Sequence, residues 1–299
     1  MKKRIFALLA FFILFSCEDE ITVELPEEEP RLVVDALLRV DKSLEFVPVE
    51  IRVKETSNFF EDNPITQVES MSIIYGIPLP DAPELFEEVF VSSLSEVPAG
   101  SGIYVPDPNA TSDQRIRTTN AEPGYVFILQ ITHKGRSYLA RTEYASSPPL
   151  DNIEQGTETL FDEDDIEVII TFTDDPDKND FYVFDFDFGE FQALDDQFIQ
   201  GQQFQFSYFY DKNLTPGQDV TISILGANQD FYNYMDLLIE QTEDNGGVFA
   251  TPVATVRGNV FDVTDLDNLD VFDNVDQPEV FALGYFAVVE EFSQTITIE

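Results

Sequence analysis

The sequence has few of the residues that enzyme and metal sites commonly use. Among 299 residues there is one cysteine, Cys17, one histidine, His133, and no tryptophan. A single cysteine excludes a scaffold stapled by disulfides within the chain. Zinc sites normally need several cysteine or histidine ligands, and a Ser-His-Asp triad would have to use His133. His133 lies in a predicted hairpin, where we expect a solvated turn residue.

Sequence motifs of catalysis and nucleotide binding are also missing. No serine lies in a GxSxG pattern, and no Walker A or GxGxxG string occurs. We therefore expect a protein that is not an enzyme and has no resident cofactor. Carboxylates are too numerous for one pair to stand out, so a carboxylate-based hydrolase is kept as the least favoured alternative.

Positive charge is scarce: Lys and Arg total 16 against 58 Asp and Glu, a formal net charge of −42. Such a surface repels nucleic acid and anionic lipid heads, which excludes nucleic acid as a partner. It attracts cations, Ca²⁺ among them, or a basic partner protein. The alternative is that the acidic residues only keep the protein soluble.

No apolar run is long enough to cross a bilayer as a helix. The longest follows Lys2-Lys3-Arg4 and extends over residues 5–15, a length typical of the apolar part of a signal peptide. Ser16 and Cys17 come next, and a small residue before cysteine resembles the bacterial lipobox. The sequence thus predicts a signal peptide over residues 1–16 and a lipid-bearing Cys17. An ordinary cleaved signal with an incidental cysteine is the alternative.

The residues after Cys17 predict where the anchored protein resides. Glu18, Asp19 and Glu20 resemble the acidic tag that directs some lipoproteins to the outer face of the outer membrane. Residues 17–30, with Pro26 and Pro30 around three glutamates, predict a stiff acidic tether. We expect an outer-membrane lipoprotein held in the bilayer by acylated Cys17 and exposed at the cell surface, with the periplasmic face as the alternative.

The rest of the chain predicts a mainly β fold. Short alternating apolar segments separated by turn residues predict two β-sandwich-like domains, over residues 31–147 and 148–299, the first immunoglobulin- or transthyretin-like. The boundary falls in the Ser-Ser-Pro-Pro stretch at 146–149. One helix is predicted near 229–243, with Asn228 as its cap. Segments 280–286 and 294–298 predict two closing strands.

Two acidic stretches are candidates for calcium binding. Asp162 to Asp165 and Asp174 to Asp180 fall in consecutive loops, and Ca²⁺ requires several oxygen ligands at once. The ligand candidates are Asp174, Asp175, Asp177 and Asp180. A third acidic stretch, from Asp265 to Asp276, does not fit an EF-hand loop, because Leu269 replaces a ligand and Asp270 replaces the turn glycine. Solvated turns are the alternative for all of them.

Several short motifs together resemble one known family. They are Leu32-Val33-Val34, the aromatic start of the predicted helix at 231–234, Gly246-Gly247-Val248-Phe249 with Pro252, Val256-Arg257-Gly258-Asn259-Val260, and Leu283-Gly284-Tyr285-Phe286. With the lipoprotein signal, the mature chain resembles the domain of unknown function 4249 family. Ala287, where members often carry a small polar residue, and the long acidic stretch 264–277 depart from the family pattern.

The resemblance implies an outer-membrane lipoprotein, often encoded beside a TonB-dependent transporter, and it supplies no catalytic residues. We therefore expect a non-enzymatic accessory or binding subunit of a transport complex, with an outer-membrane barrel transporter as its partner. A surface module that captures a nutrient, glycan or peptide, with or without Ca²⁺, is the alternative.

Overall fold

The computed structural model describes residues 30–57, 64–160, 165–178, 180–210, 214–243, 256–264 and 281–299. In these residues the fold is mainly β, as predicted, with one large sheet, two smaller sheets and one α-helix in the C-terminal half. The strands are β1 (Leu32–Val40), β2 (Ile51–Glu55), β3 (Ser70–Gly76), β4 (Pro78–Leu79), β5 (Ala82–Phe86), β6 (Phe90–Glu96), β7 (Ile103–Pro106), β8 (Val126–His133), β9 (Arg136–Ala145), β10 (Leu150–Gln155), β11 (Ile166–Thr173), β12 (Phe181–Asp185), β13 (Phe191–Asp195), β14 (Gln203–Tyr210), β15 (Asp219–Ala227), β16 (Val260–Asp262) and β17 (Leu283–Thr297). The helix, α1, comprises Gln229–Glu243.

Eight strands of the large sheet close into a ring. The pairings run in the order β17, β1, β2, β7, β6, β3, β8, β9 and return to β17. Strand β1 illustrates how the interior of the ring is filled. Its residues alternate between buried and more exposed, so Val34, Ala36 and Leu38 point inward and are fully buried. The resulting core is mostly aliphatic. We refer to these eight strands as the ring.

The C-terminal region is a two-layered sandwich. One layer contains β13, β12, β15 and the end of β17, and the other contains β10, β11 and β14. The layers enclose a core rich in phenylalanine and tyrosine, including Phe172, Tyr182 and Phe184. This arrangement follows from the alternating aromatic pattern of β12 and β14, which places every second side chain between the layers. We refer to this region as the sandwich.

Strand β17 belongs to both regions. Residues 283–290 pair in parallel with β1, and residues 291–297 pair antiparallel with β15. The prediction of two closing strands, at 280–286 and 294–298, is therefore wrong. The chain remains extended through Glu290 and Glu291, because the strand exchanges one partner for the other at that point. The proposed domain boundary at residue 147 stays a prediction.

The alternating sequences of residues 47–54 and 181–188 each predict a strand, and the structure gives both strands different limits. The segment 47–54 is extended only from Ile51, although Val47 and Val49 are buried. The segment 181–188 ends at Asp185, because the chain turns at Asp187 and Phe188, which both have positive φ angles. The Asp185 carboxylate accepts the backbone N–H of Asp187 at 2.9 Å and closes that turn.

Helix α1 begins where the sequence predicts. The Asn228 side chain accepts the backbone N–H of Phe231 at 2.9 Å, which is the cap expected of asparagine. Phe231 and Met235 lie on the buried side of the helix and pack on Val183 and Leu225, on the face of the sheet that points away from the sandwich core. No helix in the described part of the chain is long and apolar enough to cross a membrane.

Candidate functional site

Several residues singled out from the sequence lie outside the described residues. These include Cys17 and the acidic tag Glu18, Asp19 and Glu20, most of the first acidic loop, Asn179 in the second, and the stretch 265–276. The lipid anchor and the export tag therefore stay predictions. The remaining candidates are found in the described ranges.

The calcium candidates Asp174 and Asp180 are brought together by a tyrosine. The Tyr182 hydroxyl donates to Asp174 Oδ1 and lies 3.3 Å from Asp180 Oδ2. Asp174 is 2% exposed, and its Oδ2 accepts the backbone N–H of Gly201 at 2.7 Å. Both oxygens of Asp174 thus have donors from the protein. Burial raises the pKa of the Asp180 carboxyl, and Asp174 adds to this effect while Lys178 opposes it.

The other two candidates, Asp175 and Asp177, form a separate turn. Asp175 accepts the backbone N–H of Asp177 and pairs with Lys178 Nζ, both at 3.1 Å. These contacts hold the pKa of Asp175 below its ordinary range. No group of three or more His, Cys, Asp or Glu side chains in the described part of the chain is arranged to hold a metal ion. Calcium binding stays a prediction.

His133 is not a solvated turn residue, so that prediction is wrong. It is the last residue of β8 and is 4% exposed, and the turn consists of Lys134 and Gly135, which both have positive φ angles. Its Nδ1 lies 3.1 Å from the Gln67 carbonyl oxygen and its Nε2 lies 2.8 Å from Glu55 Oε1. The two-residue Lys-Gly turn is the sequence signal that could have placed His133 inside the strand.

Glu55 joins β2 to the β8–β9 hairpin through two basic side chains. Burial acts to raise its pKa, but hydrogen bonds from Lys134 and His133 outweigh burial and lower it below the ordinary value. Lys134 Nζ lies 2.5 Å from Glu55 Oε1. The lone histidine therefore has a structural contact that stabilises the ring.

A groove of about 500 Å³ lies on the outer face of the large sheet, and no sequence pattern indicates it. It lies where the ring meets the sandwich, because β1 and β2 supply one side and β13 and β17 the other. Asp35, Leu37 and Arg39 are the outward residues of β1. We call it the charged groove, and its lining residues are Asp35, Leu37, Arg39, Pro48, Glu50, Arg52, Phe191 and Glu291.

Two arginines of the charged groove are held by carboxylates. Arg39 lies 2.5 Å from Asp185 Oδ2 and 3.2 Å from Glu291 Oε1. Burial acts to lower the pKa of Arg39, but these two partners outweigh burial and raise it. Arg52 pairs with Glu50 at 2.6 Å on the exposed side. Because the lining holds three carboxylates and two guanidinium groups, the groove keeps a negative excess and can accept the positive end of a ligand beside the Phe191 ring.

Two of the motif glycines, Gly258 and Gly284, mark a place where three backbone segments nearly touch. A Cβ on Gly258 would lie 1.6 Å from the Gly284 carbonyl oxygen, and a Cβ on Gly284 would lie 1.8 Å from that of Val34. Only glycine fits such an approach. These motif residues therefore shape the fold, and they do not line the charged groove.

Asn259 connects the same place by hydrogen bonds. Its side chain accepts the backbone N–H of Phe286 at 2.8 Å and donates to the Phe286 carbonyl at 2.8 Å and the Arg141 carbonyl at 3.2 Å. The amide imitates a peptide group and bridges β17 to β9 where the ring closes.

Comparisons with known proteins agree with the motifs. No curated protein matches the chain. The model of the family described as "Domain of unknown function (DUF4249)" matches residues 18–295, and the chain therefore belongs to that family.

Proposed function

We propose that this chain is a non-enzymatic lipoprotein of the outer membrane that serves as an accessory or binding subunit of a TonB-dependent transport complex. The observation that carries the proposal is Cys17, the lone cysteine, directly after the apolar run 5–15 and a small residue. A folded β body then begins at Leu32. Between them lie residues 17–30, which at ~3.5 Å per residue extend to roughly 50 Å at most.

The function that follows is docking. A lipid-bearing cysteine confines the body to a layer close to the membrane, which raises its effective concentration toward an integral membrane partner. Loops and sheet edges then need to supply only modest affinity to keep the complex together.

Metabolic labelling with palmitate tests the anchor. Wild type should incorporate the label and Cys17→Ala should not, because acylation needs the thiol. Ser16→Ala is the matched control, since it keeps a small residue before the cysteine and should label like wild type. Incorporation that persists in Cys17→Ala would contradict the proposal.

Purification through a C-terminal tag from gently solubilised membranes tests the partner. We expect a stoichiometric barrel transporter with wild type and at least tenfold less with Cys17→Ala, because the unanchored body loses its two-dimensional concentration. Recovery of the protein alone would contradict the subunit function.

A second function, ligand capture, is favoured by the charged groove. A groove of this volume with fixed charges and one aromatic wall suits a peptide or a small amine better than a nonpolar compound. Calorimetry with basic and acidic peptides tests it. Asp35→Asn should weaken binding of the basic peptide, whereas Asp236→Asn, an exposed change on α1, should leave it unchanged. Equal binding by both variants and wild type would contradict capture in the groove.

Calcium assistance is tested separately at millimolar Ca²⁺. Measurable heat and a melting temperature that falls with chelator would support it. Absence of both would contradict calcium binding by the acidic residues at 174–180.

A further inference from the structure

A short segment with its own two-stranded hairpin connects β3 and β6 of the ring. Tyr75 pairs with Phe90 at its base, and the intervening chain forms the small β4–β5 hairpin. The backbone N–H of Glu87 donates to the Ile77 carbonyl at 2.9 Å and closes the base. We call residues 77–91, which comprise this hairpin and the first two residues of β6, the arm.

The arm exposes apolar side chains. Ile77, Leu85, Val89 and Val91 are between 42% and 55% exposed. They are four of the eleven large hydrophobic residues exposed in the described part of the chain, and they fall within fifteen consecutive positions. Single exposed hydrophobic residues are ordinary, but four of them in one short segment, of which Ile77 lines a pocket, mark an interaction surface.

A pocket of about 480 Å³ lies beside the arm. It is lined by Ile77, Phe90 and Tyr125, with Glu87 and Glu88 at its rim. The Phe90 ring is supported from behind, because Tyr75 stacks on it with 5.3 Å between the ring centroids. An aliphatic or aromatic side chain of a partner would contact Ile77, Phe90 and Tyr125 here, with the two carboxylates beside it.

Prolines and a close backbone approach restrict the conformation of the arm before any partner binds. Pro78, Pro80 and Pro83 fix three of its φ angles. At its base, a Cβ on Gly76 would lie 2.2 Å from the Glu88 carbonyl oxygen, so the two sides of the arm approach closely. A preformed surface loses less conformational entropy on docking than a flexible loop does.

The charge of the arm indicates what kind of partner segment binds there. Residues 55–114 contain no lysine or arginine, so this part of the chain lacks cations of its own. Asp81, Glu87 and Glu88 make no ion pair within the described residues. A second copy of this acidic chain would bring the same carboxylates against them, which disfavours self-association. A basic segment with an apolar anchor complements the surface.

We propose that the arm and its pocket dock a basic segment of the integral membrane partner, with one apolar side chain in the pocket and lysine or arginine against Glu87 and Glu88. This inference rests on the proposed function and names the surface and the chemistry that the partner must supply.

Photo-crosslinking in native membranes tests the surface. A crosslinking amino acid replaces Leu85 in the full lipoprotein, and Leu44, 48% exposed in the turn after β1, is the matched control position. We expect one membrane protein to crosslink at position 85 with at least tenfold higher yield than at position 44. Equal yields, or a crosslink to a second copy of this chain, would overturn the inference.

Charge variants test the chemistry. Glu87→Gln with Glu88→Gln should lower the crosslink yield roughly three- to tenfold, as expected for two rim charges. Asp236→Asn with Glu240→Gln, two exposed changes on α1, should not. Both double variants alter exposed positions, and equal melting temperatures verify that they fold. An unchanged yield in the first variant would overturn the inference.

The tag purification separates this inference from the proposed function. A barrel transporter recovered equally with wild type and with the Glu87→Gln, Glu88→Gln variant keeps the subunit function and overturns the arm as its docking surface. A charge-dependent crosslink from position 85 to a membrane protein of another kind keeps the arm and overturns the transporter as partner.

Discussion

The cores of the ring and the sandwich are formed by different kinds of side chain. The ring core is mostly aliphatic, and its inward residues such as Val34, Leu38 and Ile73 are fully buried. The sandwich core is a connected set of aromatic rings, in which Phe184 lies 5.5 Å from Phe172 and 5.1 Å from Phe206, measured between ring centroids. Both regions are β structure, so strand propensity does not explain the contrast.

The difference shows two ways of excluding water between strands. Two separate layers lie ~10 Å apart, and large rings fill that gap efficiently. In the ring, closure depends instead on backbone segments that nearly touch, at Gly258, Gly284 and Val34. The ring therefore depends on the absence of side chains at a few positions, whereas the sandwich depends on their bulk.

Gly284→Ala should have the largest effect. Both the positive φ of 94° and the overlap of a Cβ with the Val34 carbonyl oppose it, so we expect a loss of at least about 4 kcal/mol in the free energy of unfolding. Gly217→Ala is the matched control, since its φ is 88° and no atom lies near the added Cβ, and it should cost ~1–2 kcal/mol. Urea denaturation measures both, and equal losses would refute the close-approach argument.

Phe184→Ala should have the next largest effect, ~3–5 kcal/mol, because it leaves a cavity among aromatic rings. Phe198→Ala, at a side chain 84% exposed, should change the free energy of unfolding by less than about 0.5 kcal/mol.

Following the unfolding transition by two spectroscopic probes shows whether ring and sandwich unfold together. Coincident curves are expected, since β17 is shared between them.

Arg39→Met tests the link between the two regions. Arg39 extends from β1 in the ring to Asp185 in β12 and Glu291 in β17. Removing it leaves two carboxylates without their partner, so we expect a loss of about 2 kcal/mol. Arg52→Met removes an exposed pair and should cost less than about 0.5 kcal/mol. Thermal melts that show equal shifts for the two variants would contradict the linking role.

The contributions of Glu55 in the ring and of Asp180 in the sandwich to the pH dependence of stability should have opposite signs. The folded pKa of Glu55 lies below its ordinary value of 4.5, so its contribution is present above that pH and is lost as the pH falls through the folded pKa. The folded pKa of Asp180 is raised above 3.8, so its contribution is present at acidic pH and is lost as the pH rises through the folded pKa.

Unfolding measured from pH 3 to 7 checks these signs. Glu55→Gln should destabilise by roughly 1–2 kcal/mol at pH 7 and by less at pH 3. Asp180→Asn should remove the loss of unfolding free energy that Asp180 causes as the pH rises. Parallel profiles for both variants and wild type would contradict the assignment.

The local structure was predictable from short stretches of sequence. The mainly β class followed from alternating segments, and the cap of α1 followed from Asn228. The hairpin at Lys134 and Gly135 followed from a turn pair. In each case the deciding interactions connect residues a few positions apart, so a short stretch of sequence is enough to predict the local structure.

The sites were less predictable. The charged groove combines Arg39 with Asp185 and Glu291, which are 146 and 252 positions away. The periodic pattern of apolar residues in the sequence does not indicate contacts between residues so far apart. His133 was placed in the turn and not in the strand, and its contact with Glu55 spans 78 positions.

The sequence by itself determined the family, the β class, the acidic surface and the candidate anchor at Cys17. These depend on composition and on short motifs. The tertiary structure alone decided that β17 is one strand shared by ring and sandwich, that Gly258 and Gly284 serve close backbone approach, and that Asp81, Glu87 and Glu88 of the arm make no ion pair among the described residues. The physical reason is that pairing between distant strands depends on which partner each edge meets, and local sequence does not encode that choice.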